Sequence, residues 1–219
     1  MASNPVSAHA PTSPDCVTGA ILAGGLSSRL GFPKARLRLG SGRELIDDLT
    51  RKLALTCADV LIAGGGPSAF GGRLARLTVD AWPATGALGG IHTALANSRC
   101  EWTLVVACDL PFLQLAVMRA LIKLRSDDFD AVVPRLRGEW EPTHALYSRR
   151  CLPKVESALK RGDLKVAHVF SRMRVLPVEE SELRSVDPEL LSFTNVNTPA
   201  ELARALRLVD ERGTALLTS

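Results

Sequence analysis

Two cations, a run of glycines and a few carboxylates and amides stand where this chain can do chemistry on phosphate. Residues 22–34 read LAGGLSSRLGFPK. Leu22-Ala23-Gly24-Gly25 closes an apolar run from Val17, which has the pattern of a buried parallel strand. Glycines directly after such a strand let a ligand approach the backbone, because no Cβ stands in the way. Successive N–H groups in such a loop form a concavity that suits an anion. Arg29 and Lys34 add two cations that neutralise phosphate charge. The spacing is neither G-x-x-x-x-G-K-[ST] nor the dinucleotide pattern G-x-G-x-x-G. A Gly-Gly pair alone reads as an ordinary turn between strand and helix. With Arg29, Gly31 and Lys34 in register, the loop reads as a cradle for a nucleoside triphosphate.

Such a cradle works with a divalent cation, and Mg²⁺ takes one or two carboxylates plus substrate oxygens and waters. Asp109 is the best placed carboxylate. It ends the apolar run Trp102–Ala107 within Cys108-Asp109-Leu110-Pro111-Phe112, so it faces the cleft beyond a buried strand. The competing structural reading makes it the cap of a helix starting near Pro111. Asp80 closes a third strand and opens DAWPATGALGG; alone it reads as a turn residue. Farther on, Thr198-Pro199-Ala200-Glu201 has the form of a capping box with proline at the first helical position. Asn195 and Asn197 precede it at alternate positions, which sends both amides to one side of an extended segment. His144 reads as a strand residue rather than a base.

The elements that must position these groups alternate along the chain. Strands are expected at 17–22, 60–63, 77–79, 102–107 and 130–133, with an antiparallel one at 141–147. Helices are expected at 43–55, 88–96, 113–124, 152–160 and 199–208. This order predicts a single-domain α/β fold: a doubly wound, mainly parallel sheet with helices on both faces. Ligands then sit outside the carboxyl ends of the strands, where the loops at 23–34, 63–67, 80–90 and 108–112 all fall.

Length and composition agree. The 219 residues are 46% apolar, enough for one domain with a sizeable core, read as residues 16–219. Residues 1–15 carry Pro5, Pro11 and Pro14 without a lysine, an arginine or an apolar stretch, and read as a disordered extension rather than a signal peptide. A net charge of +4 is too mild for nucleic-acid binding, and no apolar run has the length of a membrane span. The five cysteines form no C-x-x-C pair, and their odd number does not suit a full disulfide framework; the expectation is reduced thiols in a cytoplasmic protein. The four histidines are scattered, with no zinc spacing.

The loop at 22–34 resembles the signature L-A-G-G-x-S-x-R-[LM]-G-x-x-K of nucleotidyltransferases that activate small molecules with a nucleoside triphosphate. Within them it is most similar to the molybdenum cofactor guanylyltransferases, which join GMP from GTP to the phosphate of molybdopterin and release pyrophosphate. The likeness recurs at 80–90, 108–112, 141–147 and 193–202, and covers nearly the whole chain after residue 16. It implies that Arg29, Lys34 and Asp109 are catalytic and that Asp109 ligates Mg²⁺. It further implies that Leu22, Ala23, Gly24, Gly25, Lys34, Ala63, Asp80, Gly86 and Asp109 bind the nucleotide. Lys165, Asn195 and Asn197 would meet the pterin substrate. A protein that delivers molybdopterin or accepts the finished cofactor is expected from the family alone. The sequence departs at Ala87, where the family favours proline, and at Ala63, often asparagine. Of the G-x-[RK]-[RK] turn only Lys165 fits. Gly25 stands where related cytidylyltransferases tend to carry alanine, which favours guanine. A cytidylyltransferase for the same pterin, a sugar-phosphate or phospholactate enzyme, and a GTP-binding regulator without turnover are the alternatives. The regulator has no need of Arg29, Lys34, Asp80 and Asp109 together.

Overall fold

A computed structural model describes residues 16–24, 36–39, 42–64 and 74–213. Strands β1 (Val17–Leu22), β2 (Asp59–Ala63), β3 (Arg76–Thr78) and β4 (Trp102–Ala107) pair in parallel in the order β3-β2-β1-β4. Next to β4 lies β7 (His144–Ser148), which runs antiparallel to it and to β5 (Ala131–Leu136) on its other side. A two-residue turn joins β5 to β6 (Glu139–Trp140), and β8 (Val175–Glu179) adds in parallel to the outer side of β5. The sheet has eight strands and is mainly parallel, as the alternating pattern predicts.

The helices are α1 (Leu45–Ala54), α2 (Gly86–Asn97), α3 (Leu115–Lys123), α4 (Leu152–Lys160), α5 (Val166–Phe170), α6 (Glu180–Arg184) and α7 (Pro199–Arg212). They divide between the two faces because the central strands are apolar on both sides. Ile21 and Leu104 point into one core with Leu49 and Leu53 of α1, Val117 of α3 and Val209 of α7. Their neighbours Ala20 and Val105 point into the other, with Leu88 and Ile91 of α2, Val155 of α4 and Phe170 of α5. Alternate side chains of one strand thus hold helices on opposite faces.

The expectation of reduced thiols fails at one pair. Cys16 and Cys100 form a disulfide, with Cα atoms 5.5 Å apart; Cys57, Cys108 and Cys151 take part in no disulfide. The reason is register. Val17 pairs with Trp102, so the residues just before β1 and β4 meet at the amino ends of adjacent strands. On the far side of β7, Asp130 is buried and binds Lys154 Nζ at 2.6 Å, the Arg174 backbone N–H at 2.9 Å and the Arg174 guanidinium at 3.4 Å. Burial alone pushes this carboxyl up, but the bonds from Lys154 and Arg174 outweigh it and bring the pKa down to about 2. No helix among the described residues is long and apolar enough to cross a membrane.

Candidate functional site

The carboxyl ends of β1 to β4 meet along one edge of the sheet. Ala23 N–H donates to the Ala63 carbonyl (2.9 Å), Gly64 N–H to Thr78 (3.2 Å) and Cys108 N–H to Leu22 (3.2 Å). These bonds run each ladder one residue past its strand and tie the loop starts together. Leu22 and Ala63 are buried. Leu22 packs under α2, where a Cβ at Gly90 would lie 3.3 Å from its methyl carbons. These two residues form the floor, and Ala23 and Gly24 open above it.

Asp80 lies two residues beyond β3 rather than at its end. Its carboxylate reaches across the glycines. A Cβ on Gly24 would fall 2.7 Å from Asp80 Oδ2, and one on Gly64 would fall 2.6 Å from it and 2.7 Å from Gly24 Cα. Gly64 also has φ of +82°, a left-handed backbone that favours glycine. Asp80 Oδ1 is buried and has no hydrogen-bond partner among the described residues. A buried oxygen in that state costs about 1–3 kcal/mol, which a ligand hydroxyl, amide or cation would offset. After Asp80 the chain turns through Ala84 (φ +61°) and Gly86 (φ +64°) into α2. Thr85, ahead of α2, gives its hydroxyl to the Trp82 carbonyl (2.6 Å), so no side chain caps the first amides of α2. Those amides and the positive end of the helix are left for an anion.

Asp109 follows β4 by two residues and is partly buried. It is not a helix cap, because α3 begins at Leu115 with Gln114 ahead of it. Its carbonyl accepts from Val196 N–H at 3.0 Å, and this bond brings the asparagine segment to the end of β4. Val196 is fully buried, Asn195 is exposed and Asn197 half-buried. Both amides therefore face away from the core, as their spacing predicts. The capping box is present as well: Glu201 accepts from the backbone of Asn197 (2.7 Å) and Thr198 (2.9 Å), and Thr198 Oγ1 accepts from Glu201 N–H (3.2 Å).

Lys165 stands apart from this group. It precedes α5, is exposed, and no hydrogen bond or ion pair among the described residues links it to Asp109, Asn195 or Asn197. Its helix packs into one core, while Phe193, ahead of the asparagines, packs against the other. Gly25, Arg29 and Lys34 lie outside the described residues. His144 begins β7, fully buried 4.6 Å from the Phe193 ring, and burial lowers its pKa to about 3; it is a neutral packing residue, not a base. Among the described residues no three His, Cys, Asp or Glu side chains cluster as a metal cage. Carboxylates on separate strand ends suit a hard cation that takes its other ligands from a phosphate and water.

A second feature escapes the motif reading. A cavity of about 560 Å³ opens at the carboxyl end of β5, lined among others by Arg137, Glu141, Phe193, Asn195 and Arg204. The signal for its rim is Arg137-Gly138, a glycine-containing pair between two strand-like runs and hence a hairpin turn.

A family model described as the MobA-like NTP transferase domain matches residues 19–176. A Desulfosudis oleivorans protein named molybdenum cofactor guanylyltransferase is 40% identical over 191 residues, which cover 87% of this chain and 95% of that one. A Pelotomaculum thermopropionicum protein, named a probable molybdenum cofactor guanylyltransferase, is 37% identical over 86% of this chain and 91% of its own. The crystal structure of molybdopterin-guanine dinucleotide biosynthesis protein A from Archaeoglobus fulgidus superposes with a TM-score of 0.76 at 26% identity, covering 89% of this chain and 99% of that one.

Proposed function

The chain belongs to the MobA-like NTP transferase family, and from that premise we propose that it transfers GMP from GTP to the phosphate of molybdopterin or of the molybdenum cofactor. Pyrophosphate leaves and the guanine dinucleotide cofactor forms. The observation that supports this reading is the Asp109–Val196 backbone bond, which brings the segment of Asn195 and Asn197 to the end of β4, the strand paired with β1 and the glycines that follow it.

Nucleotidyl transfer is mostly positioning and charge neutralisation. The exposed backbone at Gly24 lies open to the triphosphate, and Arg29 and Lys34 neutralise the charge that grows on the departing pyrophosphate. Asp80, held against Gly24 and Gly64, takes a donor of the nucleotide with its buried oxygen, and Gly86 at the start of α2 frames the same ligand. Asn195 and Asn197 orient the acceptor phosphate so that one of its oxygens attacks the α-phosphorus in line with the leaving group. The position of Asp109, two residues past the end of β4 and partly buried, fits a divalent cation with Asp109 as its ligand; bound Mg²⁺ would neutralise phosphate charge. Lys165 stands ahead of a helix packed on the other face of the sheet, and the geometry gives its assignment to the acceptor no support. Both substrates are anions that do not cross bilayers unaided, which supports a reaction in the cytoplasm, where nucleoside triphosphates are made.

Calorimetric titration with GTP, CTP, ATP and UTP, each with Mg²⁺, tests the reading. Selective GTP binding and Mg²⁺-dependent pyrophosphate release with molybdopterin are expected. Preference for CTP moves the assignment to the cytidylyltransferases, and no binding of any nucleotide overturns it.

A further inference from the structure

The cavity at the end of β5 has the size of a small-molecule site, and Asn195 of the transfer site is part of its wall. Half of its eight charged residues are already matched. Glu180 binds Arg184 at 2.7 Å, Glu189 binds Arg212, and Glu201 caps α7. Arg137, Glu139, Glu141 and Arg204 have no side-chain hydrogen bond or ion pair among the described residues. Of these four only Glu141 is sunk below the surface. Burial raises its pKa, and no neighbouring cation opposes that rise.

Its backbone is fixed. Glu141 N–H donates to the Pro134 carbonyl of β5 (2.9 Å), and its carbonyl accepts from His144 N–H at the start of β7 (3.2 Å). Two of the three non-glycine residues with left-handed backbone among the described residues, Arg137 (φ +50°) and Leu190 (φ +55°), also line this cavity. Such conformations cost about 1–2 kcal/mol each and gather where a site holds them.

We propose that this cavity receives the heterocycle of the acceptor and that the Glu141 carboxylate reads its 2-amino-4-oxopyrimidine edge. The inference rests on the acceptor being a pterin, as argued above. That edge presents an amino N–H and a ring N–H side by side, the complement of two carboxylate oxygens. A half-buried carboxylate without a partner gains both bonds when the ring enters. Arg137 and Arg204 also line the cavity and supply cations for the anionic groups beyond the ring. Asn195 then receives the phosphate end toward Asp109.

The test is Glu141→Gln, in steady-state transfer and in fluorescence titration with two free heterocycles, 6-hydroxymethylpterin and lumazine. Lumazine carries oxygen in place of the 2-amino group. The wild-type protein should bind the pterin at least tenfold better than lumazine. Glu141→Gln should lose that preference and raise the molybdopterin KM at least tenfold, because a charge-assisted bond contributes about 1.5–3 kcal/mol. Its KM for GTP and its melting temperature should stay unchanged. An unaltered molybdopterin KM with the pterin preference intact overturns the role of Glu141 while leaving the transfer reaction standing. A wild-type protein that neither binds GTP nor transfers GMP overturns the parent reading, and this inference with it.

Discussion

Gly64→Ala is the sharpest test of how the glycine floor works. The new methyl carbon would start 2.6 Å from Asp80 Oδ2, 2.7 Å from Gly24 Cα and 2.9 Å from Gly24 N. The carboxylate can swing away, but two of the three contacts are backbone and cannot be relieved by a rotamer. Holding alanine at φ +82° costs about 1–2 kcal/mol, and forcing the backbones of Gly24 and Gly64 apart adds about 1–3 kcal/mol. The sum is about 2–5 kcal/mol, or a melting temperature lower by about 5–15 °C for a chain of this size. Gly86→Ala separates the two contributions. Its φ is +64°, yet nothing lies within 4 Å of the added methyl. It should cost only about 1 kcal/mol, since the stiffer unfolded chain offsets part of the strain. Thermal melts and GTP calorimetry on both variants give the answer. Gly64→Ala should bind GTP at least tenfold more weakly, because Ala23 and Gly24 move with the displaced backbone. A Gly64→Ala protein that melts within 1 °C of wild type and binds GTP equally refutes the close-approach argument. Equal damage from Gly86→Ala would assign the whole effect to backbone strain.

Asp109→Asn should fold normally and lose Mg²⁺-dependent transfer by at least a hundredfold; a pyrophosphate-release assay showing near-normal turnover would remove Asp109 from the site. Asp130 makes stability depend on acid. Its native pKa is about 2 against 3.8 for the free side chain, so its contribution is complete above pH 4 and fades as pH falls through 2. At 1.36 kcal/mol per unit the contribution is of the order of 2 kcal/mol, less whatever the partly exposed Lys154 and Arg174 lose to water. Urea titrations of Asp130→Asn between pH 2 and pH 7 should show a lower plateau and a flatter acid limb than wild type. Cys100→Ser opens a loop with a sequence separation of 84, for which chain entropy gives up to about 4–5 kcal/mol. A thiol reagent on the denatured, unreduced wild-type protein should find three cysteines; finding five would mean the bridge does not form.

Much of this molecule is visible in its amino acids where burial is strong and local. β1, β4 and α4 fall where periodicity puts them, because continuous apolar runs and a clear 3.6-residue face leave no competing register. The starts of α1 and α3 shift inward for identifiable reasons. Glu44 and Gln114 are extended and stand ahead of α1 and α3, while Phe112 and Leu113 are core residues that belong to a loop. β8 is hidden by Pro177 in its middle, a residue tolerated because β8 pairs with β5 alone. α5 and α6, of five residues each, are too short to display a period. At the site, Asp80, Asp109 and the asparagine pair are legible as motifs. The carbonyl of Asp109 as the anchor for Val196 is not, since a backbone acceptor leaves no trace in residue types. The Cys16–Cys100 bridge is likewise a product of strand register rather than of spacing along the chain.

The reversed strand β7 has a consequence for length. It lies between β4, which leads to Asp109, and β5, whose end opens into the cavity holding Glu141. Adjacent strands are about 4.8 Å apart, so these two ends sit about 10 Å from one another. The residues that bridge them, 141–143, are pinned on both sides, by Pro134 of β5 and by Ala107 of β4. The sheet is thus a ruler. A molecule whose reactive phosphate and recognised ring are separated by two strand spacings engages both ends at once, and one built shorter or longer reaches only one of them.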